Sequence, residues 1–194
     1  MSEELPDLLT EIRACRLCAS ELPLGPRPVL RAREGARLLI AGQAPGTKVH
    51  ESGVPWDDAS GERLRGWLDL TPEVFYDESR IAIVPMGFCY PGRNPKGGDL
   101  PPRRECADHW HARLLPLLTR LRLILLVGQY AQNYYLGARR RKSLTETVRD
   151  FEEYGPEFFP LPHPSWRTVG WQKRNPWFDA EVLPVLRRRV HSLL

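Results

Sequence analysis

The chain predicts an α/β fold of three layers, α/β/α, around a central four-stranded, mostly parallel sheet. Three observations carry this. Four short apolar runs read as buried strands. Stretches of helical period separate them, and strands alternating with helices mark a parallel sheet. Two of the runs end in turns of distinctive chemistry, Gly42-Gln43-Ala44-Pro45-Gly46 and His163-Pro164-Ser165. Such turns fall at the carboxyl ends of strands, where open α/β sheets place their ligand crevices.

The elements follow in order. Residues 5–14 carry Leu5, Leu8, Leu9 and Ile12 at helical spacing, and this helix delivers Cys15 and Cys18 at its end. Residues 19–36, rich in Pro, Arg and Gly, read as a wrapped loop. The first strand is 37–41, followed by the Gly42–Gly46 turn and a long loop to Asp58. Ser60 is placed to cap a helix that carries Leu64, Trp67 and Leu68. The second strand is 81–84, and a Pro/Gly-rich loop, 85–103, holds Cys89. A helix from about 104 to 119 holds Cys106, Trp110, Leu114, Leu115 and Leu118. The third strand, 121–127, ends at Gly128, and a helix of about 130–137 follows. The charged segment 139–153 contains a further short helix. The fourth strand is 157–161. A closing helix over 178–193 puts Val182, Leu183, Val185, Leu186, Val190 and Leu194 largely on one side, with Pro184 placed to kink it.

The 194 residues suffice for one core and imply a single domain, 1–194, acting as a monomer. Hydrophobic content of 42% and charged content of 27% are ordinary for a globular chain. No apolar run approaches the length of a membrane span, and the acidic start, Met1 to Pro6, lacks a signal-peptide stretch. The expectation is a cytoplasmic protein. The net charge of +4, from 28 basic and 24 acidic residues, leans toward anionic partners. Arg139–Lys142 and Arg187–Arg189 are the densest basic runs, each either a partner-binding patch or a solvated face.

The four cysteines are a Cys15-x2-Cys18 pair, Cys89 and, after sixteen residues, Cys106. A reducing compartment argues against disulfides. Four thiolates can fill the coordination of a zinc ion or of a [4Fe–4S] cluster. His109 and His111 lie close to Cys106 in sequence.

The stretch from Gly42-Gln43-Ala44-Pro45-Gly46 to Gly53-Val54-Pro55-Trp56 resembles the Gly-Glu-Ala-Pro-Gly…Gly-x-Pro-Phe segment of the iron–sulfur uracil-DNA glycosylases called family 4. With His163-Pro164-Ser165, about 120 residues downstream, it resembles the two active-site motifs of the uracil-DNA glycosylase superfamily. The resemblance spans residues 8–192. It implies a DNA repair enzyme that flips a deaminated base, uracil above all, from single- or double-stranded DNA and hydrolyses its N-glycosidic bond.

Residue by residue, the resemblance implies that Gly42, Gln43, Ala44, Trp56 and Ser165 bind the base, with the indole of Trp56 stacked on it. His163 would stabilise negative charge on the departing base. Trp166 and Arg167 would enter the minor groove and fill the vacated stack. Gly128 and Gln129, in a Gly-Gln-Tyr-Ala turn similar to the family's Leu-Gly-Ala-Thr-Ala, would meet backbone phosphate through a helix N-terminus. The order Cys15, Cys18, Cys89, Cys106 matches the family's [4Fe–4S] ligands, with zinc as the alternative.

Two departures bear on mechanism. Gln43 stands where the family carries a Glu that activates water, and a neutral amide cannot act as a base. Trp56-Asp57-Asp58-Ala59-Ser60-Gly61 resembles the Phe-Thr-Gly-Asp-x-Ser-Gly segment of family 5, one residue shorter, so Asp58 falls on that family's carboxylate. It either aligns water against C1′ or only caps the following helix; Asp57, His50 and Glu51 are the substitutes. The second departure is Pro85, at the position of the family Asn that reads the base edge. Base reading is left to backbone groups, or the pocket accepts several deaminated bases. The loss of Glu also fits a DNA-binding or covalently trapping relative with little turnover, or an iron–sulfur interaction protein with an inactive pocket.

Overall fold

Every strand of this chain is apolar on both faces, which dictates that helices cover both sides of the sheet. In the computed structural model, which describes residues 4–194, the strands are β1 (Leu38–Ala41), β2 (Ile81–Ile83), β3 (Leu123–Val127) and β4 (Phe158–Leu161), and all of their residues are buried. They form one sheet in the order β2-β1-β3-β4, with every pair parallel. The alternation of strand side chains sorts them into two cores. Leu39, Ala41, Ala82, Ile124, Leu126 and Phe158 face a layer holding α1 (Leu5–Arg13), α5 (Arg104–Leu114) and α6 (Gln129–Leu136). Leu38, Ile40, Leu123, Leu125, Phe159 and Leu161 face α3 (Ala59–Leu68) and the C-terminal helix α9 (Leu183–His191). The three layers are those expected.

Both sheet edges are managed. Pro160 sits in β4, an edge strand, where a residue without an N–H is tolerated. The β2 edge is covered by the loop before β1, through paired bonds between the Arg31 and Ile83 main chains at 2.7 and 2.9 Å.

Several expectations need correction. The cap of α3 is Asp58, not Ser60: Asp58 Oδ1 accepts the Gly61 N–H at 2.8 Å, and Ser60 lies within the first turn. The expected long loop before Asp58 contains α2 (Thr47–Ser52), and α4 (Pro72–Phe75) follows α3, capped by Thr71. The segment after His163-Pro164-Ser165 is α8 (Arg167–Arg174), whose one buried residue is Thr168. The helix expected over 104–119 ends at Leu114 and passes into a 3-10 turn. The closing helix begins as a π turn over Phe178–Val182, directly before Pro184 in the first turn of α9. Proline lacks the N–H that an unbroken α ladder would need there. The short helix in the charged segment is α7 (Leu144–Arg149), held by a capping box of Ser143 and Glu146, in which each residue satisfies a main-chain N–H near the other.

Candidate active site

With β2 and β3 on either side of β1, the strand order reverses between β1 and β3, and parallel sheets open a crevice at such a point. A cavity of about 530 Å³ lies there. Gly42 to Gly46 reach it from the end of β1, Pro85 from β2, Gly128 and Gln129 from β3, and His163, Ser165, Trp166 and Arg167 from β4. Trp56 and Asp58 line it from the loop before α3. The structure thus gathers into one cavity every residue that the resemblance assigns to base, sugar or DNA. The substitutes for Asp58 are elsewhere: Asp57, Glu51 and His50 do not line it.

Trp56 is held in place at a cost. Its φ of 59° is left-handed, a conformation worth about 1–3 kcal/mol of strain for a non-glycine residue. Its carbonyl accepts from Arg65 Nη1 at 3.3 Å and the Tyr76 hydroxyl at 3.2 Å. Two glycines make room for it. A Cβ on Gly61 would stand 1.8 Å from the Trp56 carbonyl oxygen, and one on Gly42 would stand 2.8 Å from the indole. The ring lies 5.7 Å from the His163 ring, tilted by 35°.

His163 is fixed through its main chain. Its carbonyl accepts the Ser165 N–H at 2.8 Å and the Thr168 hydroxyl, and Arg63 of α3 donates to the Ser165 carbonyl. Burial pushes the imidazole below its ordinary value of 6.5, opposed by the charge of Asp58. The ring is therefore neutral at pH 7. Gly128, at φ 90°, passes close beside it: a Cβ there would meet the His163 Cβ at 3.3 Å. Behind both, the buried Gln132 amide donates to the carbonyls of Leu161 at 2.8 Å and Leu126 at 3.3 Å, tying the ends of β4 and β3.

The main chain after β2 is already committed. Met86 and Gly87 donate their N–H groups to the carbonyls of Gly42 and Gln43, each at 3.0 Å. The Pro85 carbonyl accepts from His111 Nε2 at 2.9 Å. A carbonyl only accepts, so Nε2 carries the proton, and Nδ1 takes the Tyr135 hydroxyl at 2.8 Å. Burial pushes His111 down to about 4. His111 thus braces Pro85 from behind, fully buried, and does not line the cysteine pocket. The Met86 and Gly87 N–H groups and the Pro85 carbonyl are in use, and Gln43 stands beside them as a half-buried amide, with Nε2 3.4 Å from the Leu100 carbonyl.

Three features escaped sequence reading: Asp99, a second carboxylate on the cavity; Arg63, which braces the His163 turn; and the Arg65–Tyr76 support of Trp56. All three come from segments that carry no motif. The basic runs prove partly structural. Arg141 pairs with Asp150 and Glu153, and Arg187 donates to the carbonyls of Trp67 and Gly66. Trp166, by contrast, is 76% exposed beside the cavity, with the Arg167 guanidinium 5.3 Å from its ring.

The four cysteines line a second, small pocket together, with Arg16 and Arg103 on its wall. Cys106 is buried and the others half-buried. The Phe88 N–H donates to Cys106 Sγ at 3.3 Å and the Leu17 N–H to Cys15 Sγ at 3.5 Å. Burial, with the neighbouring thiols adding to it, pushes Cys89 up to about 11 and Cys106 up to about 12. Among the described residues no three Cys, His, Asp or Glu side chains meet as a site for a single metal ion. No helix among them is long and apolar enough to cross a membrane.

The main cavity can therefore take a flat ring against an indole, set a neutral imidazole beside it, and present a carboxylate to the same space. A protein-family model described as the Uracil DNA glycosylase superfamily matches residues 31–187, a range that contains both motif turns, Cys89 and Cys106 but not Cys15 and Cys18.

Proposed function

This chain belongs to the uracil-DNA glycosylase superfamily, and from that premise we propose that it is a monofunctional DNA glycosylase that releases a deaminated base, uracil first among them, from single- or double-stranded DNA. The observation that carries the proposal is the convergence of Trp56, Asp58 and His163 on one cavity at the switch point of the sheet. The flipped base would stack on Trp56, with Gly42, Gln43, Ala44 and Ser165 around it. His163, neutral by burial, would donate to the base as it leaves with the electron pair of the glycosidic bond. Asp58 would face the sugar, where positive charge develops. Exposed Trp166 and Arg167 would fill the gap in the stack.

The test is uracil release from single- and double-stranded oligonucleotides under multiple turnover. Free uracil and an alkali-labile abasic site are expected. Tight binding with no release, or with a covalent protein–DNA adduct, would favour the trapping alternative that Gln43 raises.

We further propose that Cys15, Cys18, Cys89 and Cys106 hold a [4Fe–4S] cluster. The donor set suits it: four thiols share one pocket, backbone N–H groups point at two of the sulfurs, and among the described residues no acidic group lines the pocket. A bound metal centre would deprotonate thiols that burial otherwise keeps neutral. The cluster would tie the end of α1 to the loop after β2 and to α5. The purified protein is expected to be yellow-brown, absorbing near about 400 nm, and Cys89→Ala is expected to lose colour and solubility together. One zinc and no iron by metal analysis would overturn the cluster.

A further inference from the structure

Gln43 leaves the first motif without a carboxylate, and Asp58 commits one oxygen to the Gly61 N–H. The cavity has a second carboxylate. Asp99 sits on a hairpin in the loop between Cys89 and Cys106. Arg93 and Asp99 pair as an antiparallel bridge, the Asn94 N–H donates to the Gly98 carbonyl at 2.8 Å, and the Leu100 N–H donates to the Gly92 carbonyl at 2.8 Å. Gly97 and Gly98 turn the chain at φ of 96° and 81°, where other residues are strained. The sequence therefore specifies the turn that presents Asp99.

The hairpin rests on both motifs. A Cβ on Gly46 would lie 3.4 Å from Asp99 Oδ2, and the Arg167 guanidinium lies 3.4–3.6 Å from the Cβ positions of Gly98 and Gly97. With the Gln43 amide near the Leu100 carbonyl, this sets Asp99 beside the turn that lacks its Glu. Burial raises the Asp99 carboxyl, Arg93 opposes that, and Asp58 adds to it through space.

We infer that Asp99 is a catalytic carboxylate of this cavity that takes the proton of the attacking water, while Asp58 serves as a fixed negative charge toward the sugar. The inference rests on the glycosylase reading above. As the water oxygen bonds to C1′, the C1′–N bond breaks and its electron pair leaves with the base. One water proton passes to Asp99. The base anion, held by His163, takes a proton from solvent, and Asp99 then releases its own to solvent. Net, one water adds across the glycosidic bond. The two carboxylates divide the work because Asp58 is oriented by a backbone N–H, whereas Asp99 stands on an exposed turn beside the cavity, open to the attacking water.

The experiment is single-turnover excision by the full chain, as purified, on uracil-containing oligonucleotides, comparing Asp99→Asn and Asp99→Glu with the parent across pH. Asp99 is exposed on its hairpin and Asn is isosteric, so the fold is kept. Asp99→Asn is expected to excise about 10²-fold or more slowly, with DNA affinity unchanged. The parent's rise in rate with pH, set by Asp99 among Asp58, Arg93 and Arg167, should vanish in Asp99→Asn and return in part in Asp99→Glu. An Asn variant with the parent's rate, or slowed with the parent's pH profile intact, overturns the role of Asp99 alone. A parent that excises no deaminated base overturns the glycosylase reading and this inference together.

Discussion

Asp58→Asn is expected to slow excision by about 10²–10⁴-fold, the range of a positioned acid–base or charge-stabilising group, while leaving the fold intact. The prediction turns on the two uses of this side chain. Oδ1 caps α3 by accepting the Gly61 N–H at 2.8 Å. Asn is as good an N-cap as Asp, so the helix keeps its start and loses only the charge. The contrast with Asp58→Ala is informative, since Ala removes the cap as well, at about 1 kcal/mol. Single-turnover rates measure the first effect, and thermal melting measures the second. If the cap were the whole role, Asn would excise at the parent's rate and only Ala would be impaired, through stability. If the charge acts on the sugar, Asn and Ala are slowed alike, and only Ala melts earlier.

What the sequence revealed about this site follows from where its physical signals lie. Leu38–Ala41 and Leu123–Val127 are continuous apolar runs because both faces of those strands are covered, and that signal is local. Gly42 and Gly128 mark places where the backbone passes a ring, the Trp56 indole in one case and His163 in the other. Such glycines stand out in a sequence at the end of an apolar run. The helices α2 and α8 carried no such signal. Each buries a single side chain, Val49 or Thr168, so no apolar stripe announces them. Asp99 was hidden for another reason. Its place on the cavity comes from a hairpin that folds back over a turn more than fifty residues earlier in the chain, and nothing near Asp99 in sequence records that contact. The basic runs misled in the opposite direction. Arg141 and Arg187 look like free surface charge in the sequence but are held by carboxylates or carbonyls in the fold.

His163→Ala is expected to slow base release by about 10²–10³-fold, the cost of losing one preorganised donor. A neutral imidazole offers one N–H, and here the ring is held neutral by burial, with Asp58 opposing that shift. A neutral donor suits the task, because it stabilises an anion without being consumed as an acid. The loss should therefore depend on the leaving group. A base analogue that departs more readily as an anion needs less help, so the deficit of His163→Ala should shrink with it. Ala also removes a ring that lies 5.7 Å from Trp56, leaving space into which the indole can shift. His163→Asn controls for this, since it keeps polar bulk beside Trp56 and should recover part of the rate if donation matters. The surrounding turn gives no reason to expect unfolding: it is pinned through the His163 carbonyl by Ser165 and Thr168 and through Ser165 by Arg63, none of which uses the imidazole. Cluster content and duplex affinity should match the parent's. A variant that fails to fold makes His163 a packing residue, and one that excises every substrate at the parent's rate removes the imidazole from the chemistry. A deficit of the same size for good and poor leaving groups places its effect before bond cleavage, in seating the base against Trp56.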